Sequence, residues 1–149
     1  MGNRLAEPIE ILLVEDNPGD VRLTQEAFNG LSSDVSLTVT TDGSEALDVL
    51  QERHNDASVS LPDLILLDLN LPRTNGFEFL ETIREDPELA RLPVLILTSS
   101  STTEDIIESY DLAANAYLTK PSSPAEFETM VEAVSEFWFE QAALPPVST

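Results

Sequence analysis

Short apolar runs alternate along the chain with longer segments in which apolar residues recur every three or four positions. The runs predict β-strands, and the three-to-four spacing predicts amphipathic helices. Strands are predicted at residues 9–14, 35–40, 63–67, 94–98 and 116–119. Helices are predicted at residues 17–31, 44–53, 76–86, 103–114 and 124–141. Each predicted strand is therefore followed by a helix, five times over.

This (βα)5 order predicts an α/β protein with a doubly wound parallel five-stranded sheet that has helices on both faces. Four of the strands are continuous apolar runs, as expected for strands that are covered on both faces. Residues 35–40, with the sequence VSLTVT, alternate apolar and polar side chains instead. This strand is therefore predicted at an edge of the sheet.

The helix ends carry their own signals. Asn17 is predicted to cap the first helix, with Pro18 as its first residue, where a missing N–H costs least. Asn115 is suited to the left-handed conformation that often ends a helix. The core-facing stripe of the last helix is predicted to consist of Phe127, Met130, Val131, Val134 and Trp138.

A length of 149 residues with 42% apolar residues suits one domain with one core. We predict an N-terminal extension at residues 1–8, the domain at residues 9–141 and a flexible tail at residues 142–149, where two prolines stop the helix. We expect no output domain. Residues 52–62 form the longest irregular connection.

Charge and composition exclude several classes of protein. The 28 acidic and 7 basic residues give a net charge of −21, which repels phosphate backbones and anionic membranes. No apolar run is long enough to span a membrane, so we expect a soluble, cytoplasmic protein. The chain has no cysteine, and its single His54 lies in a polar stretch and is predicted to be exposed. Thiolate chemistry and histidine metal clusters are therefore excluded.

The acidic residues also follow a pattern. Glutamates recur every four residues in the last helix, at positions 128, 132, 136 and 140, with no basic residue among them. Like charges at this spacing repel, and salt screens the repulsion. Composition rich in acids and poor in lysine is similar to that of proteins from extreme halophiles. The alternative is an acidic protein of an ordinary cytosol.

Polar residues follow four of the five predicted strands. Because ligands of open parallel sheets bind at the carboxyl ends of the strands, these residues are expected to share one crevice. The first strand leads into Glu15 and Asp16, the third into Asp68, the fourth ends at Thr98, and the fifth leads into Lys120, the only lysine of the chain. Each residue taken alone is more simply explained as a turn or a helix cap.

The combination of charges at this edge points to a metal and a phosphoryl group. Glu15, Asp16 and Asp68 carry three negative charges, and Lys120 contributes one positive charge. A divalent cation would bring the total near zero, and an all-oxygen ligand set favours Mg²⁺. A carboxylate beside Mg²⁺ can act as a nucleophile toward phosphorus, so Asp68 is the candidate phosphoacceptor. Lys120 and the Thr98 hydroxyl would then contact the phosphoryl oxygens.

The segments ILLVEDNPGD, DLILLDLNLPRTNGFEFL, VLILTSSS and NAYLTKP resemble the receiver domain of two-component response regulators. The resemblance covers about residues 9 to 140. It implies a flavodoxin-like receiver fold with strand order 2-1-3-4-5. It also implies a function: a single-domain response regulator would accept a phosphoryl group from a histidine kinase and signal by protein contact or phosphorelay. Such a protein catalyses only its own phosphorylation and dephosphorylation.

The resemblance assigns roles by position. Asp68 matches the phosphoacceptor, Asp16 the direct Mg²⁺ ligand, and Glu15 an acid that acts through metal-bound water. Asn70 matches the residue whose backbone carbonyl completes the metal shell. The remaining matches are the switch pair Thr98 and Tyr117, the motif lysine Lys120, and Pro121, where the family usually has a cis bond.

Three features depart from the common family pattern. Glu15 replaces an aspartate, which suggests an altered water shell. The usual glycine before the fifth strand is absent, and Asn115 is its nearest chemical substitute. The long loop at residues 52–62 and the C-terminal EFWFEQAALPP are similar to single-domain receivers that are paired with phytochrome-like histidine kinases. A kinase of this type is therefore the expected partner.

Two other functions compete with this one. A Mg²⁺-dependent phosphatase with an aspartate nucleophile usually has a second acid two residues later, where this chain has Asn70. A receiver-like binding module that works without phosphorylation would normally have lost part of the acidic site. If a homodimer forms, its seam is expected to be apolar and to involve Phe137, Phe139 and the ALPP segment, since the fourth and last helices lack basic residues.

Overall fold

The computed structural model describes residues 8–31, 34–56, 58–72 and 75–141. The strands are β1 (Ile9–Val14), β2 (Val35–Thr40), β3 (Leu64–Leu67), β4 (Val94–Thr98) and β5 (Ala116–Thr119). The helices are α1 (Pro18–Asn29), α2 (Gly43–His54), α3 (Gly76–Glu85), α4 (Thr103–Asp111) and α5 (Pro124–Val134). All strand pairs are parallel, in the order β2-β1-β3-β4-β5. The predicted fold class and strand order are confirmed.

The sheet separates two apolar layers, and successive residues of each central strand enter opposite layers. In β4, Val94 and Ile96 pack with α2 and α3, whereas Leu95 and Leu97 pack with α1 and α5. Both layers are closed by fully buried aromatic side chains, such as Phe79 of α3. The alternating strand β2 lies at the edge and is only partly buried, as its pattern predicts.

The start of α1 is the predicted one. The Asn17 side chain accepts a hydrogen bond from the backbone N–H of Asp20 at 3.0 Å, and Pro18 lies in the first turn. This cap directs α1 away from the end of β1. The same turn brings Asp20 back toward the carboxyl edge of the sheet.

The end of α4 differs from its prediction. The helix stops at Asp111, and the residue with positive φ is Ala113 (φ 67°) rather than Asn115. Asn115 serves in another way, because its side-chain oxygen accepts a hydrogen bond from the backbone N–H of Val94 at 2.8 Å. Its amide thus holds the entry to β5 against β4, and the expectation that Asn115 would adopt the left-handed conformation is wrong.

The last helix also differs from its prediction. α5 ends at Val134 and continues as a π-helical segment, Ser135–Gln141. The wider π-helical turn, with i→i+5 hydrogen bonds, changes which side chains face inward. Trp138 and Phe139 both pack against the core, whereas Phe137 is 54% exposed.

Three further expectations concern the ends and the backbone. The described residues contain no cis peptide bond, so the expectation of one before Pro121 is wrong. The predicted tail at residues 142–149 and most of the N-terminal extension lie outside the described residues. Within the described ranges, every helix is too short or too polar to cross a bilayer.

Candidate functional site

The backbone aligns the ends of four neighbouring strands. Beyond β3, the N–H of Asp68 donates to the carbonyl of Val14 at 3.0 Å, which sets Asp68 beside the end of β1. Beyond β5, the N–H of Lys120 donates to the carbonyl of Thr98 at 2.7 Å. These two bonds extend the sheet by one residue and bring Glu15, Asp68, Thr98 and Lys120 to the same edge.

The ammonium group of Lys120 lies at the centre of this edge. Its Nζ is 2.7 Å from Oε1 of Glu15, 2.7 Å from Oδ2 of Asp20 and 2.9 Å from Oδ2 of Asp68. The side chains of Glu15 and Asp68 are 2% and 5% exposed, and that of Lys120 is 9% exposed. Water therefore screens these ion pairs far less than it screens surface pairs.

Three carboxylates at this edge are close enough to share one cation. One oxygen each from Glu15, Asp16 and Asp68 lies within 4.8 Å of the others, and Asp16 is exposed while the other two are buried. Hard oxygen ligands of this kind suit Mg²⁺ or a similar divalent ion. The residues present therefore fit the metal that the resemblance implies.

The environment shifts the pKa values of these groups in different directions. Burial raises the pKa of the Glu15 carboxyl from 4.5 to about 7, although the hydrogen bond with Lys120 opposes the change. Burial acts in the same way on Asp68, but hydrogen bonds from Lys120 and from the Asn70 backbone outweigh it, and the pKa of Asp68 is lowered. Burial alone would lower the pKa of Lys120, yet its bonds to Asp20, Glu15 and Asp68 raise it above 10.5.

The other predicted residues surround this centre. Thr98 is fully buried, and Asn70 is exposed and donates its backbone N–H to Oδ1 of Asp68 at 3.1 Å. Tyr117 packs partly against the core, and its hydroxyl donates to the carbonyl of Ser100 at 2.9 Å. Tyr117 is thus bonded to the loop that follows Thr98.

Two residues of the site were not predicted from the sequence. Asp20 contacts Lys120 from the first turn of α1, four positions after Asp16. The sequence could have indicated Asp20 by this position, because the first turn of α1 begins beside the acidic edge. Gly76, the first residue of α3, lies so close to the backbone after β3 that an added Cβ would be 2.6 Å from the carbonyl oxygen of Asp68 and 2.7 Å from Cα of Leu69. Any larger residue there would displace the turn that carries Asp68.

A groove of about 530 Å³ opens beside the acidic cluster. Its lining includes Glu15 and Asp16 at one end, Val21 and Arg22 of α1, and Val39 of β2. The groove therefore gives a partner molecule a mixed apolar and polar surface next to the carboxylates.

The response regulator receiver domain profile matches residues 11–132 of the chain. The response regulator Rcp1 of Synechocystis sp. is 41% identical over 145 residues, which are 97% of this chain and 99% of Rcp1. The chain is thus similar to a relative of almost the same length.

Solved structures agree with this likeness. The Mn²⁺-bound form of Rcp1 has a TM-score of 0.83 and 42% identity, and the match covers 93% of this chain and all of that one. The phosphorylated cyanobacterial phytochrome response regulator RcpA has a TM-score of 0.86 and 42% identity, with 94% of this chain and all of that one covered. Relatives of this fold are therefore known with a metal ion and in phosphorylated form.

Proposed function

The chain belongs to the response regulator receiver domain family, whose members are signalling proteins and phosphoacceptors, and we propose that Asp68 is its phosphoacceptor and a histidine kinase its donor. One observation carries the assignment. The buried carboxylate of Asp68 is in contact with the only lysine of the chain and belongs to a three-carboxylate cluster that can hold a divalent cation. The signal then passes on by protein contact or phosphorelay.

Mg²⁺ is the proposed cofactor, held directly by Asp16, Asp68 and the backbone carbonyl of Asn70, and through water by Glu15. The close spacing of Glu15, Asp16 and Asp68 supports this ligand set. When bound, the ion neutralises charge on the phosphoryl oxygens and on the carboxylates. The Mn²⁺-bound form of Rcp1 supports a divalent cation in this family.

The residues of this chain have separate tasks in the transfer. An oxygen of Asp68 forms the new O–P bond while the N–P bond of the phosphohistidine breaks. The electron pair of that bond stays on the imidazole nitrogen, which then takes up a proton. The Lys120 ammonium and the Thr98 hydroxyl stabilise charge on the phosphoryl oxygens. No other substrate is turned over, so the protein acts only on its own phosphorylation and dephosphorylation.

Incubation with acetyl phosphate and Mg²⁺ tests the assignment directly. We expect the intact protein to gain the mass of one phosphoryl group and Asp68→Asn to gain none. The matched control is Asp48→Asn, which changes an exposed aspartate of α2 in the same way and should be labelled like the wild type. Labelling of Asp68→Asn at the wild-type level would show that another residue is the acceptor. A protein that is never labelled would favour the phosphorylation-independent binding module.

We further propose that Thr98 and Tyr117 form the switch. Thr98 would move toward the phosphoryl oxygens, and the hydrogen bond from Tyr117 to the Ser100 carbonyl gives a route from that loop to β5. The face built by α4, β5 and α5 would then change by a ligand-dependent population shift. Beryllofluoride should move the amide signals of residues 100 and 117, and unchanged signals there would refute the coupling.

The proposed kinase is of the phytochrome type. The likeness to RcpA, a cyanobacterial phytochrome response regulator, supports it, as does the full-length match to Rcp1. Phosphotransfer should be faster from a phytochrome-type kinase than from an unrelated histidine kinase at equal concentration. Equal or reversed rates would assign the protein to another pathway.

A homodimer is proposed through the C-terminal aromatic surface. Phe137 is 54% exposed and meets Trp138 edge-on with ring centroids 5.3 Å apart, whereas Phe139 is partly buried against the core. Phe137 therefore offers more free apolar surface than Phe139, and the ALPP segment lies outside the described residues. Light scattering at high salt should show a weaker dimer for Phe137→Ser than for the wild type. A dimer that survives Phe137→Ser, Phe139→Ser and truncation after Glu136 would use another surface.

We infer that the protein works in a salt-rich cytoplasm. Its charge of −21 and the single lysine support this location. Glu128, Glu132 and Glu136 are all exposed, so their mutual repulsion depends on the surrounding salt.

A further inference from the structure

The Lys120 ammonium group has three N–H donors, and three carboxylates lie within bonding distance of it. Glu15, Asp20 and Asp68 are 2.7, 2.7 and 2.9 Å from Nζ. A phosphoryl group on Asp68 would bring new oxygen acceptors to the same nitrogen. Three donors cannot bond the phosphoryl oxygens and all three side chains at once, so the phosphoryl group competes with these side chains for the ammonium group.

The three carboxylates differ in how easily they can leave. Glu15 is 2% exposed, so its carboxylate would leave the lysine without reaching water, and Asp68 stays at the site because it carries the incoming group. Asp20 is 27% exposed and lies in the first turn of α1, at the solvent side of Lys120. Of the three, Asp20 can regain water at the lowest cost in free energy.

We propose that Asp20 is a positioning residue that holds Lys120 in the unphosphorylated protein and competes with the phosphoryl group for the lysine ammonium. This rests on the proposed function, because it assumes a phosphoryl group on Asp68. Asp20 thereby stabilises the unphosphorylated state and lowers the affinity of the site for a phosphoryl group.

The charge of the site acts in the same direction. Glu15, Asp16, Asp20 and Asp68 bring four carboxylates around one ammonium group, and the phosphoryl oxygens add further negative charge. After it has released the lysine, the Asp20 carboxylate still repels the phosphoryl oxygens, because both groups are negative and both lie at the same edge of the sheet. Competition and repulsion therefore both oppose phosphoryl binding.

The single lysine makes the first part of the proposal directly observable. Protein labelled with ¹³C and ¹⁵N only in lysine has one Nζ signal, which reports the surroundings of the Lys120 ammonium group. In metal-free protein without any phosphoryl group, Asp20→Asn should shift this signal, and Asp20→Glu should leave it closer to the wild-type position. An unchanged signal in Asp20→Asn would show that the contact is absent in solution.

The second part is tested with beryllofluoride, a phosphoryl analogue, titrated in excess Mg²⁺ so that metal binding is saturated. Asp20→Asn should bind it roughly three- to tenfold more tightly, as expected for loss of one partly exposed ion pair. Asp20→Glu should return the affinity toward that of the wild type. The matched control is Glu26→Gln on the same helix, which removes one exposed carboxylate paired with Arg22 and should leave the affinity unchanged.

The direction of the change separates the possible results. A merely structural role for Asp20 would lower both the melting temperature and the beryllofluoride affinity of Asp20→Asn. Equal or weaker binding by the variant therefore overturns the role of Asp20 and leaves the proposed function intact. Absence of binding by the wild-type protein overturns the proposed function, and the competition with it.

Discussion

Two cations that are largely shielded from water lie at opposite edges of the sheet, and their partners differ. Lys120, at the carboxyl edge, contacts the carboxylates of Glu15, Asp20 and Asp68. Arg84, at the end of α3, has no carboxylate partner among the described ion pairs. Its guanidinium instead donates to neutral oxygens, namely the carbonyls of Ala90, Leu92 and Ala113 and the side chain of Asn115, at 2.8–3.3 Å.

The pKa values of the two groups record this difference. Burial lowers the pKa of Arg84 below its ordinary value, whereas the carboxylates around Lys120 overcome its burial and raise its pKa. Arg84 joins the loop after α3 to the turn after α4 by bonds that no ligand replaces. The negative charge around Lys120 can be balanced by a metal ion or by a proton, and the Lys120 ammonium group can contact a phosphoryl group in place of a carboxylate. The bonds of Arg84 therefore stabilise the fold, whereas the carboxylates around Lys120 form a site that can bind ligands.

The largest expected effect is on stability at Arg84. Arg84→Met leaves three backbone carbonyls without their donors and should lower the free energy of unfolding by roughly 3–5 kcal/mol. Since no ligand can replace these bonds, excess Mg²⁺ should not restore the loss. The matched control is Arg91→Met, which removes an exposed arginine and should cost little. Urea unfolding with and without Mg²⁺ measures the stability of the two variants. Equal losses in Arg84→Met and Arg91→Met would contradict the structural role of Arg84.

The next effect is on phosphorylation at Lys120. Lys120→Met should lower the rate of labelling by acetyl phosphate about 100-fold, or about 2.7 kcal/mol, because a preorganised cation is lost from the transition state. Lys120→Arg should also be slow, since a planar fork cannot replace a compact ammonium group in a crowded site. Lys120→Met should be less stable than the wild type without metal and should regain stability in Mg²⁺, whereas Arg84→Met should not. A fully active Lys120→Met would exclude lysine from the chemistry.

A smaller effect concerns pH. The pKa of Glu15 in the folded protein, about 7, is above its ordinary 4.5, so the folded state binds this proton more tightly than the unfolded state. The contribution of Glu15 to stability is therefore present below pH 4.5 and is lost as the pH rises to about 7. In metal-free protein, Glu15→Gln should remove this dependence. The free energy of unfolding of the variant, measured relative to the wild type, should be roughly 1–3 kcal/mol higher at pH 8 than at pH 5.

Urea unfolding of both proteins in EDTA at several pH values measures the difference. Glu10→Gln, at a partly exposed glutamate paired with Arg53, is the control and should not gain stability at high pH. Parallel profiles for the wild type and Glu15→Gln would mean that Glu15 ionises normally.

The smallest effect is that of salt. Glu128, Glu132 and Glu136 form two pairs of like charges on the exposed face of α5 and the segment after it, and these repel by roughly 0.4–1 kcal/mol in total at low salt. Screening in several molar KCl should therefore raise the melting temperature by about 1–4 °C. The stability difference between the wild type and Arg84→Met should stay constant, because the partners of Arg84 are neutral. A melting temperature that does not rise with salt would remove the halophile interpretation.

Local pattern alone determined the order of the elements, because a buried parallel strand requires a continuous apolar run and a surface helix requires a three-to-four spacing. It also determined that Glu15, Asp68, Thr98 and Lys120 meet, since the carboxyl ends of parallel strands always share an edge. The resemblance to a family added the strand order. The cap at Asn17 follows from residue chemistry within a few positions and was likewise predictable.

Tertiary contacts decided the rest, because they join residues that no local rule connects. The left-handed residue is Ala113 rather than Asn115, since the Asn115 amide bonds to Val94 across the sheet. The turns after α5 widen where Trp138 and Phe139 both reach the core. Asp20 contacts Lys120 across 100 positions of sequence. Such contacts depend on the distance between side chains after the sheet and helices have packed, and the order of residues along the chain does not contain that distance.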